Sequence, residues 1–122
     1  MQLYQEQALH YIHNASLALQ EGDVEKASEF LWGSMAESLK AVAACKGQLL
    51  RTHQELRIFA RGLAREIKEP GIEEAYSRAE KLHANFYESF LEPEDLALDM
   101  ERIREAVRRL FELVETSESA VF

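Results

Sequence analysis

The segment from Arg78 to Phe90 brings together side chains that could do chemistry: an arginine, a histidine, an asparagine and a tyrosine. Arg78 and His83 are separated by four residues. A guanidinium stabilises the charge of a pentacoordinate phosphate and an imidazole moves protons, so this pair suits phosphodiester cleavage. On a straight helix, however, the two side chains point roughly 140° apart. They could meet only in a groove at the helix edge, or together with the same pair from a second chain.

Three further polar residues of this segment, Lys81, Asn85 and Tyr87, lie close to His83 in the chain. We expect them to contact a nucleotide or RNA if this polar side of the helix forms a site. The other side carries large apolar residues such as Phe86, which are expected to be structural.

Two groups of residues have spacings that occur at metal sites. His10 and His13 lie three positions apart, with Glu6 four positions before His10. Two imidazoles without a third ligand nearby form only a weak site. Glu80 and His83 have the Glu-x-x-His spacing of di-iron bundles, but that chemistry requires a second such motif and two more glutamates. We therefore expect no metal and no cofactor.

His53 follows Thr52, which together with Glu55 forms the capping-box pattern at the start of a helix. The positive end of the helix dipole disfavours a charged imidazole at this place. A neutral imidazole there could act as a base or as a hydrogen-bond donor. It could equally be a local contact at the helix end.

Composition limits the classes of function. The chain has 122 residues, enough for one domain with its own core, and a net charge of −8. An acidic chain repels nucleic acid at long range, so a broad phosphate-binding surface is not expected, although a local basic patch could exist. The single cysteine, Cys45, excludes an internal disulfide framework. The sequence has no signal-peptide pattern and no apolar run of roughly 18 residues, so we expect a cytoplasmic protein without a membrane contact.

Apolar residues recur at three- and four-residue steps through most of the chain, which is typical of helices with one buried face. Glycine and proline mark the breaks between these segments. The pattern predicts about five helices with short connections, and hence an all-α, antiparallel helical bundle. We predict a single domain over residues 1–116 and a short tail over 117–122. The first, second and fourth predicted helices lie at about 2–20, 24–46 and 72–90. The third begins at the Thr52 capping box and ends before the break at 69–71, and the fifth follows the turn around Pro93.

Two features could involve either another helix of this chain or a second chain. Gly33 interrupts the second helix at a cost of up to about 1 kcal/mol relative to alanine, so another helix is expected to approach it closely. In the fifth helix, apolar residues form a heptad seam that could pack within the bundle or against a second subunit. The seam consists of Leu96, Met100, Ile103, Val107, Leu110 and Val114.

Several pieces of the sequence together resemble the archaeal PaREP group, which is placed among the HEPN domains (higher eukaryote and prokaryote nucleotide-binding). The resemblance covers roughly residues 5–115. Its pieces are Trp32-Gly33 with the residues from Gly22 onward, Lys40-Ala-Val-Ala, Thr52-His53-Gln-Glu-Leu, and Leu82-His-Ala-Asn-Phe-Tyr-Glu.

This resemblance implies a small helical bundle that is often a homodimer. Many HEPN domains are ribonucleases with an arginine–histidine motif of this spacing in a cleft at the dimer interface, and others bind nucleotides or proteins without catalysis. Carried over, Arg78 and His83 would be the catalytic pair, although Ala79 stands where the nucleases often have a polar residue. We therefore expect a HEPN-like, homodimeric module that binds a nucleotide, RNA or a protein. The alternative is a metal-independent, toxin-like ribonuclease that uses Arg78 and His83, for which a nucleotidyltransferase-like protein would be a partner.

Overall fold

The structure, a computed structural model, describes residues 2–88 and 92–119, with side chains described at 3–84 and 92–117. The described residues form five α-helices and no β-strand. The predicted all-α class and the number of helices are thereby confirmed. The helices are α1 (Gln2–Gln20), α2 (Val24–Cys45), α3 (His53–Glu66), α4 (Gly71–Glu88) and α5 (Pro93–Ser119).

The helix ends follow from local sequence chemistry. Gly22 and Gly47 come after α1 and α2 with φ angles of 77° and 73°, which lie in the left-handed region that glycine adopts at little cost. At the start of α3 the Thr52 hydroxyl accepts a hydrogen bond from the Glu55 amide, and the Glu55 carboxylate accepts one from the Thr52 amide. The capping box read from the sequence is therefore present, and it fixes the first residue of α3.

The C-terminal helix is longer than the sequence pattern predicted. Helix α5 continues to Ser119, so the first three residues of the predicted tail 117–122 are helical. No glycine or proline lies between Pro93 and Ser119, and serine and threonine do not by themselves stop a helix. The residues from 120 onward, including Val121 and Phe122, lie outside the described part of the chain.

Helix α2 is the centre of the bundle, because each of the other four helices packs against it. Its residues Leu31, Met35 and Leu39 are fully buried. The heptad seam of α5 faces inward, with Leu96 and Leu110 fully buried, so it packs within the bundle. Among the described helices, none combines the length and the apolar character needed to cross a bilayer.

The contact between α1 and α2 is close because small residues line it. Ala8 and Ala15 of α1 are fully buried, and the Ser34 hydroxyl donates a hydrogen bond to the Ala8 carbonyl oxygen at 3.0 Å. A Cβ atom on Gly33 would lie 2.8 Å from Cδ2 of Tyr11, closer than van der Waals contact allows. The glycine in the middle of α2 therefore makes room for α1, a helix of the same chain.

This geometry predicts opposite effects for two glycine-to-alanine substitutions. Gly33→Ala should lower the free energy of unfolding by about 1–3 kcal/mol, because the added methyl group overpacks the contact with Tyr11. Gly62→Ala is the matched control. It lies in the interior of α3, where an added Cβ meets no atom within 4 Å. There alanine should raise stability by about 0.5–1 kcal/mol through helix propensity. Urea unfolding followed by circular dichroism measures both, and equal effects would contradict the close approach of α1.

Candidate functional site

Three aromatic rings from three different helices meet at one end of the bundle. Ring centroids are 4.7 Å apart for Trp32 and His53, 5.1 Å for Trp32 and His83, and 5.1 Å for His53 and His83. Trp32 of α2 is buried, the His83 side chain of α4 is 25% exposed, and His53 at the start of α3 is exposed. The two imidazole rings thus lie against the indole of Trp32, and the imidazole of His53 is exposed to solvent. We call these three residues the ring cluster.

Contacts between α3 and α4 hold the ring cluster in place. The Tyr76 hydroxyl lies 3.2 Å from the carbonyl oxygen of His53 and 3.0 Å from Oε2 of Glu80, and it can donate to either. Arg57 of α3 donates to the same Glu80 oxygen at 2.7 Å. A second ion pair, between Arg61 and Glu73, joins the helices further along at 3.0 Å.

The electrostatics of this network keep Tyr76 a donor and Glu80 an acceptor. Burial, together with the neighbouring Glu80 carboxylate, raises the pKa of Tyr76 well above its ordinary value. The hydroxyl therefore stays protonated and remains a donor. Burial also raises the pKa of Glu80, but hydrogen bonds from Arg57 and Tyr76 outweigh it and the net pKa is lowered. Glu80 thus stays ionised as the acceptor for both partners.

His83 forms a hydrogen-bonded pair with a carboxylate of α2. Its Nδ1 lies 3.0 Å from Oε2 of Glu29. When the carboxylate accepts this bond, the proton of the neutral imidazole is on Nδ1, and Nε2 is the basic nitrogen. The pair has the geometry in which a carboxylate orients a histidine for proton transfer.

A cleft of about 460 Å³ opens beside Trp32 and His53. Two cationic side chains, Lys40 and Arg51, lie on its wall together with the carboxylates of Glu29 and Glu37. Lys40 is 3.6 Å from the carboxylate of Glu37, whereas the Arg51 guanidinium forms no ion pair with any residue that the structure describes. The cleft therefore offers an aromatic surface, an imidazole and a guanidinium within one small volume. The Arg51 guanidinium also attracts the nearby Glu55 carboxylate and helps to lower the pKa of Glu55.

Arg78 points to another part of the bundle than His83. Its guanidinium donates to Asp99 of α5 at 2.6 Å and to Glu74 at 3.2 Å. His83 instead pairs with Glu29 on α2. Within one chain, Arg78 and His83 therefore engage different helices, as their angular separation on a helix requires. A catalytic role for the pair stays a prediction.

The structure describes the other predicted contacts only in part. Lys81 is exposed on α4. Asn85 and Tyr87 are residues of the same helix, but their side chains lie outside the described residues. On α1, His10 and His13 are exposed. In the part of the chain covered by the structure, no three His, Cys, Asp or Glu residues are grouped so as to hold a metal ion.

Sequence reasoning missed how these residues combine. It left His53 open as a base, a hydrogen-bond donor or a local contact at a helix start, did not bring it together with His83, and did not consider Glu29. One signal was present: Glu29 and Trp32 are three positions apart and thus share a face of α2. A carboxylate and an aromatic residue on one helical face, combined with a histidine at a nearby helix start, could have indicated the site.

Residues 3–107 of the chain match the model of a family described as the archaeal PaREP1/PaREP8 family. No curated protein and no solved structure matches the chain.

The proton equilibrium of Glu80 leads to a prediction about acid stability. Because the folded state lowers the pKa of Glu80 below its ordinary value of 4.5, its ionised form stabilises the fold above that pH. This contribution is lost as the pH falls through the folded pKa. We expect Glu80→Gln to lower the free energy of unfolding at neutral pH and to flatten its decline below about pH 5.

The control for this prediction is Glu21→Gln, which removes an exposed carboxylate for which the structure describes no ion pair. Chemical denaturation at a series of pH values measures both variants. Some acid sensitivity remains in Glu80→Gln, because hydrogen bonds from the Arg51 and Thr52 amides also lower the pKa of Glu55. Equal pH dependence in the two variants would contradict the role assigned to Glu80.

Proposed function

Given that the chain belongs to the archaeal PaREP1/PaREP8 family, we propose that it is a nucleotide- or RNA-binding module whose site is the cleft beside Trp32 and His53. The observation that carries this proposal is that Trp32 and His53, whose rings are in contact, line one cleft together with Arg51. Nucleic-acid bases stack on aromatic side chains, and a guanidinium binds phosphate through two parallel hydrogen bonds. These residues therefore suit both the base and the phosphate of a nucleotide.

Each part of a nucleotide has a candidate contact. The imidazole of His53 is exposed and packs against Trp32. It is the surface on which a base stacks. Arg51, two residues earlier in the chain, is the phosphate contact. Lys81 on α4 stays a predicted contact for a neighbouring phosphate. The HEPN-like character implied by the sequence resemblance agrees with this proposal and remains part of it.

The acidic net charge limits the proposed ligand to a short one. At −8 the chain gains little from long-range attraction to a polyanion, so binding depends on contacts inside the cleft. One or two neutralised phosphates correspond to a slope of roughly −0.7 to −1.4 in a plot of log affinity against log salt for a single strand. A steeper slope would indicate a broad basic surface and would contradict the cleft as the site.

The chain contains one tryptophan, so intrinsic fluorescence reports directly on the proposed site. We expect nucleoside monophosphates and short single-stranded RNA to quench Trp32 emission in a saturable way. Arg51→Ala should weaken binding roughly tenfold or more, because it removes charge-assisted hydrogen bonds to phosphate. The matched control is Arg65→Ala on α3, an exposed arginine that does not line this cleft, and it should leave the affinity unchanged.

Two results would contradict the binding proposal. One is the absence of saturable quenching at millimolar nucleotide. The other is an equal loss of affinity in Arg51→Ala and Arg65→Ala, which would point to unspecific attraction by positive charge.

A second candidate function, a metal-independent ribonuclease, is favoured by the hydrogen bond between Glu29 and His83 and by the second imidazole beside it. In this reaction one imidazole takes the proton of the ribose 2′-hydroxyl, and the 2′-oxygen attacks phosphorus. The bond from phosphorus to the 5′-oxygen breaks as the other imidazole gives that oxygen a proton. The products are a 2′,3′-cyclic phosphate and a 5′-hydroxyl. His83 and His53 suit these two roles, and Arg78 stays the predicted charge-stabilising residue.

Cleavage of single-stranded RNA in the presence of a chelator tests the ribonuclease candidate. The expected profile against pH is bell-shaped, because one imidazole must be neutral and the other charged. His83→Ala and His53→Ala should each reduce the rate by about a hundredfold or more, and Glu29→Gln should reduce it less. Arg78→Ala tests the arginine that the sequence motif predicts. Saturable binding without cleavage would support the binding function and exclude the ribonuclease function.

A further inference from the structure

The structure describes two carboxylates on the wall of the proposed nucleotide cleft, and they differ in their partners. Glu37 lies 3.6 Å from the ammonium group of Lys40. Glu29 instead lies 3.0 Å from the imidazole nitrogen Nδ1 of His83, through its Oε2 atom. A lysine carries a full positive charge at neutral pH, whereas a neutral imidazole donates a hydrogen bond without a charge. Glu29 therefore keeps more of its negative charge uncompensated than Glu37 does.

Glu29 can accept further hydrogen bonds. A carboxylate has about four lone pairs on its two oxygens and donates nothing. Among the residues that the structure describes, His83 uses one of them at Oε2, and Oε1 has no hydrogen-bond partner. The Glu29 side chain is 41% exposed, so a ligand in the cleft can reach it. The carboxylate is thus open to two donors of one ligand.

Glu29 lies at the part of the cleft where the base of a nucleotide is expected. It stands three positions before Trp32 on α2, a spacing that makes two side chains neighbours on a helix. Glu37 stands five positions after Trp32 and points about 140° away from it. The His83 ring, which Glu29 contacts, lies 5.1 Å from the ring of His53, the proposed stacking surface. A base that stacks on His53 therefore has the Glu29 carboxylate near its edge.

We propose that Glu29 makes this site selective for guanine, either in a free guanosine nucleotide or as an unpaired base of single-stranded RNA. The inference rests on the proposed function and adds the class of ligand to it. The Watson–Crick edge of guanine carries two adjacent donors, the N1–H group and the N2 amino group. The Glu29 carboxylate accepts both at once, in the same way as a carboxylate accepts two parallel bonds from a guanidinium.

The other three bases of RNA lack this pair of donors. Adenine and cytosine each have an amino group beside a ring nitrogen that is an acceptor. Uracil has one N–H group between two carbonyl oxygens. Each of these edges would bring an acceptor against the carboxylate, which repels it. Selectivity for guanine therefore comes from a bidentate contact with the correct base together with repulsion of the competing bases.

Calorimetric titration with the four nucleoside 5′-monophosphates tests the selectivity. We expect guanosine monophosphate to bind about tenfold or more tightly than the other three, because a bidentate contact discriminates by at least that factor. Inosine monophosphate lacks the N2 amino group and should lose most of this advantage. Short uridine oligonucleotides with one central guanosine or adenosine should show the same preference. If the guanosine oligonucleotide binds more tightly than guanosine monophosphate, RNA is the source of the base, and otherwise a free nucleotide is.

Glu29→Gln separates guanine recognition from nucleotide binding in general. A carboxamide presents one donor and one acceptor, a pattern that fits the edge of adenine and not that of guanine. The ratio of the affinity for guanosine monophosphate to that for adenosine monophosphate should therefore fall about tenfold or more. The matched control is Glu37→Gln, which removes the other carboxylate of the same wall and should leave the ratio unchanged. Circular dichroism confirms that both variants are folded.

The possible results distinguish this inference from the proposed function. Equal affinity for all four monophosphates would retain the cleft as a nucleotide site and overturn the selectivity for guanine. A natural ratio in Glu29→Gln, or an equal loss of the ratio in Glu37→Gln, would overturn the role of Glu29. If none of the nucleotides or oligonucleotides binds, the proposed function fails and the inference fails with it.

Discussion

The burial of α2 is the constraint on which the rest of this structure depends. All other helices pack against it, so the residues on each face of α2 must suit a different neighbouring helix. Toward α1 the helix presents Gly33 and Ser34, which allow close approach. Toward α3 and α4 it presents Trp32, whose large ring fills the space between them. Two adjacent residues of α2 thus serve different neighbours, a glycine at the contact with α1 and a tryptophan at the contacts with α3 and α4.

The position of the ring cluster follows from this difference between the two sides of α2. Trp32 of α2 contacts both His53 at the start of α3 and His83 of α4, so two histidines from different helices lie against one aromatic side chain. The Tyr76–Glu80–Arg57 network then fixes the relation between α3 and α4 without using the imidazoles themselves. The backbone of His53 is thereby held by Tyr76, whereas the His83 ring is held on α2 by the Glu29 carboxylate at Nδ1.

The sequence predicted the helices well because their signals are local. Apolar spacing, the capping box at Thr52 and the glycines after α1 and α2 depend on residues within one or two turns, and each was found where expected. The last three residues of α5 were missed because the absence of a stop signal is harder to interpret than its presence. The meeting of His53 with His83 could not be predicted, because it depends on the distance between α3 and α4, which no local pattern encodes. The angular separation of Arg78 and His83 was predictable, because it follows from the geometry of a single helix.

The order of the helices along the chain has a consequence for how the molecule assembles. Helices α1 and α2 are joined only by Glu21–Asp23, and α3 and α4 are also close in sequence. Pairs of this kind close short loops and form quickly, since little chain entropy is lost. In the sequence, α5 is separated from α2 by the whole of α3 and α4. The docking of α5 on α2 therefore closes a long loop and carries the largest cost in chain entropy. The buried leucines of α2 therefore stay partly uncovered until α5 has been synthesised and has docked.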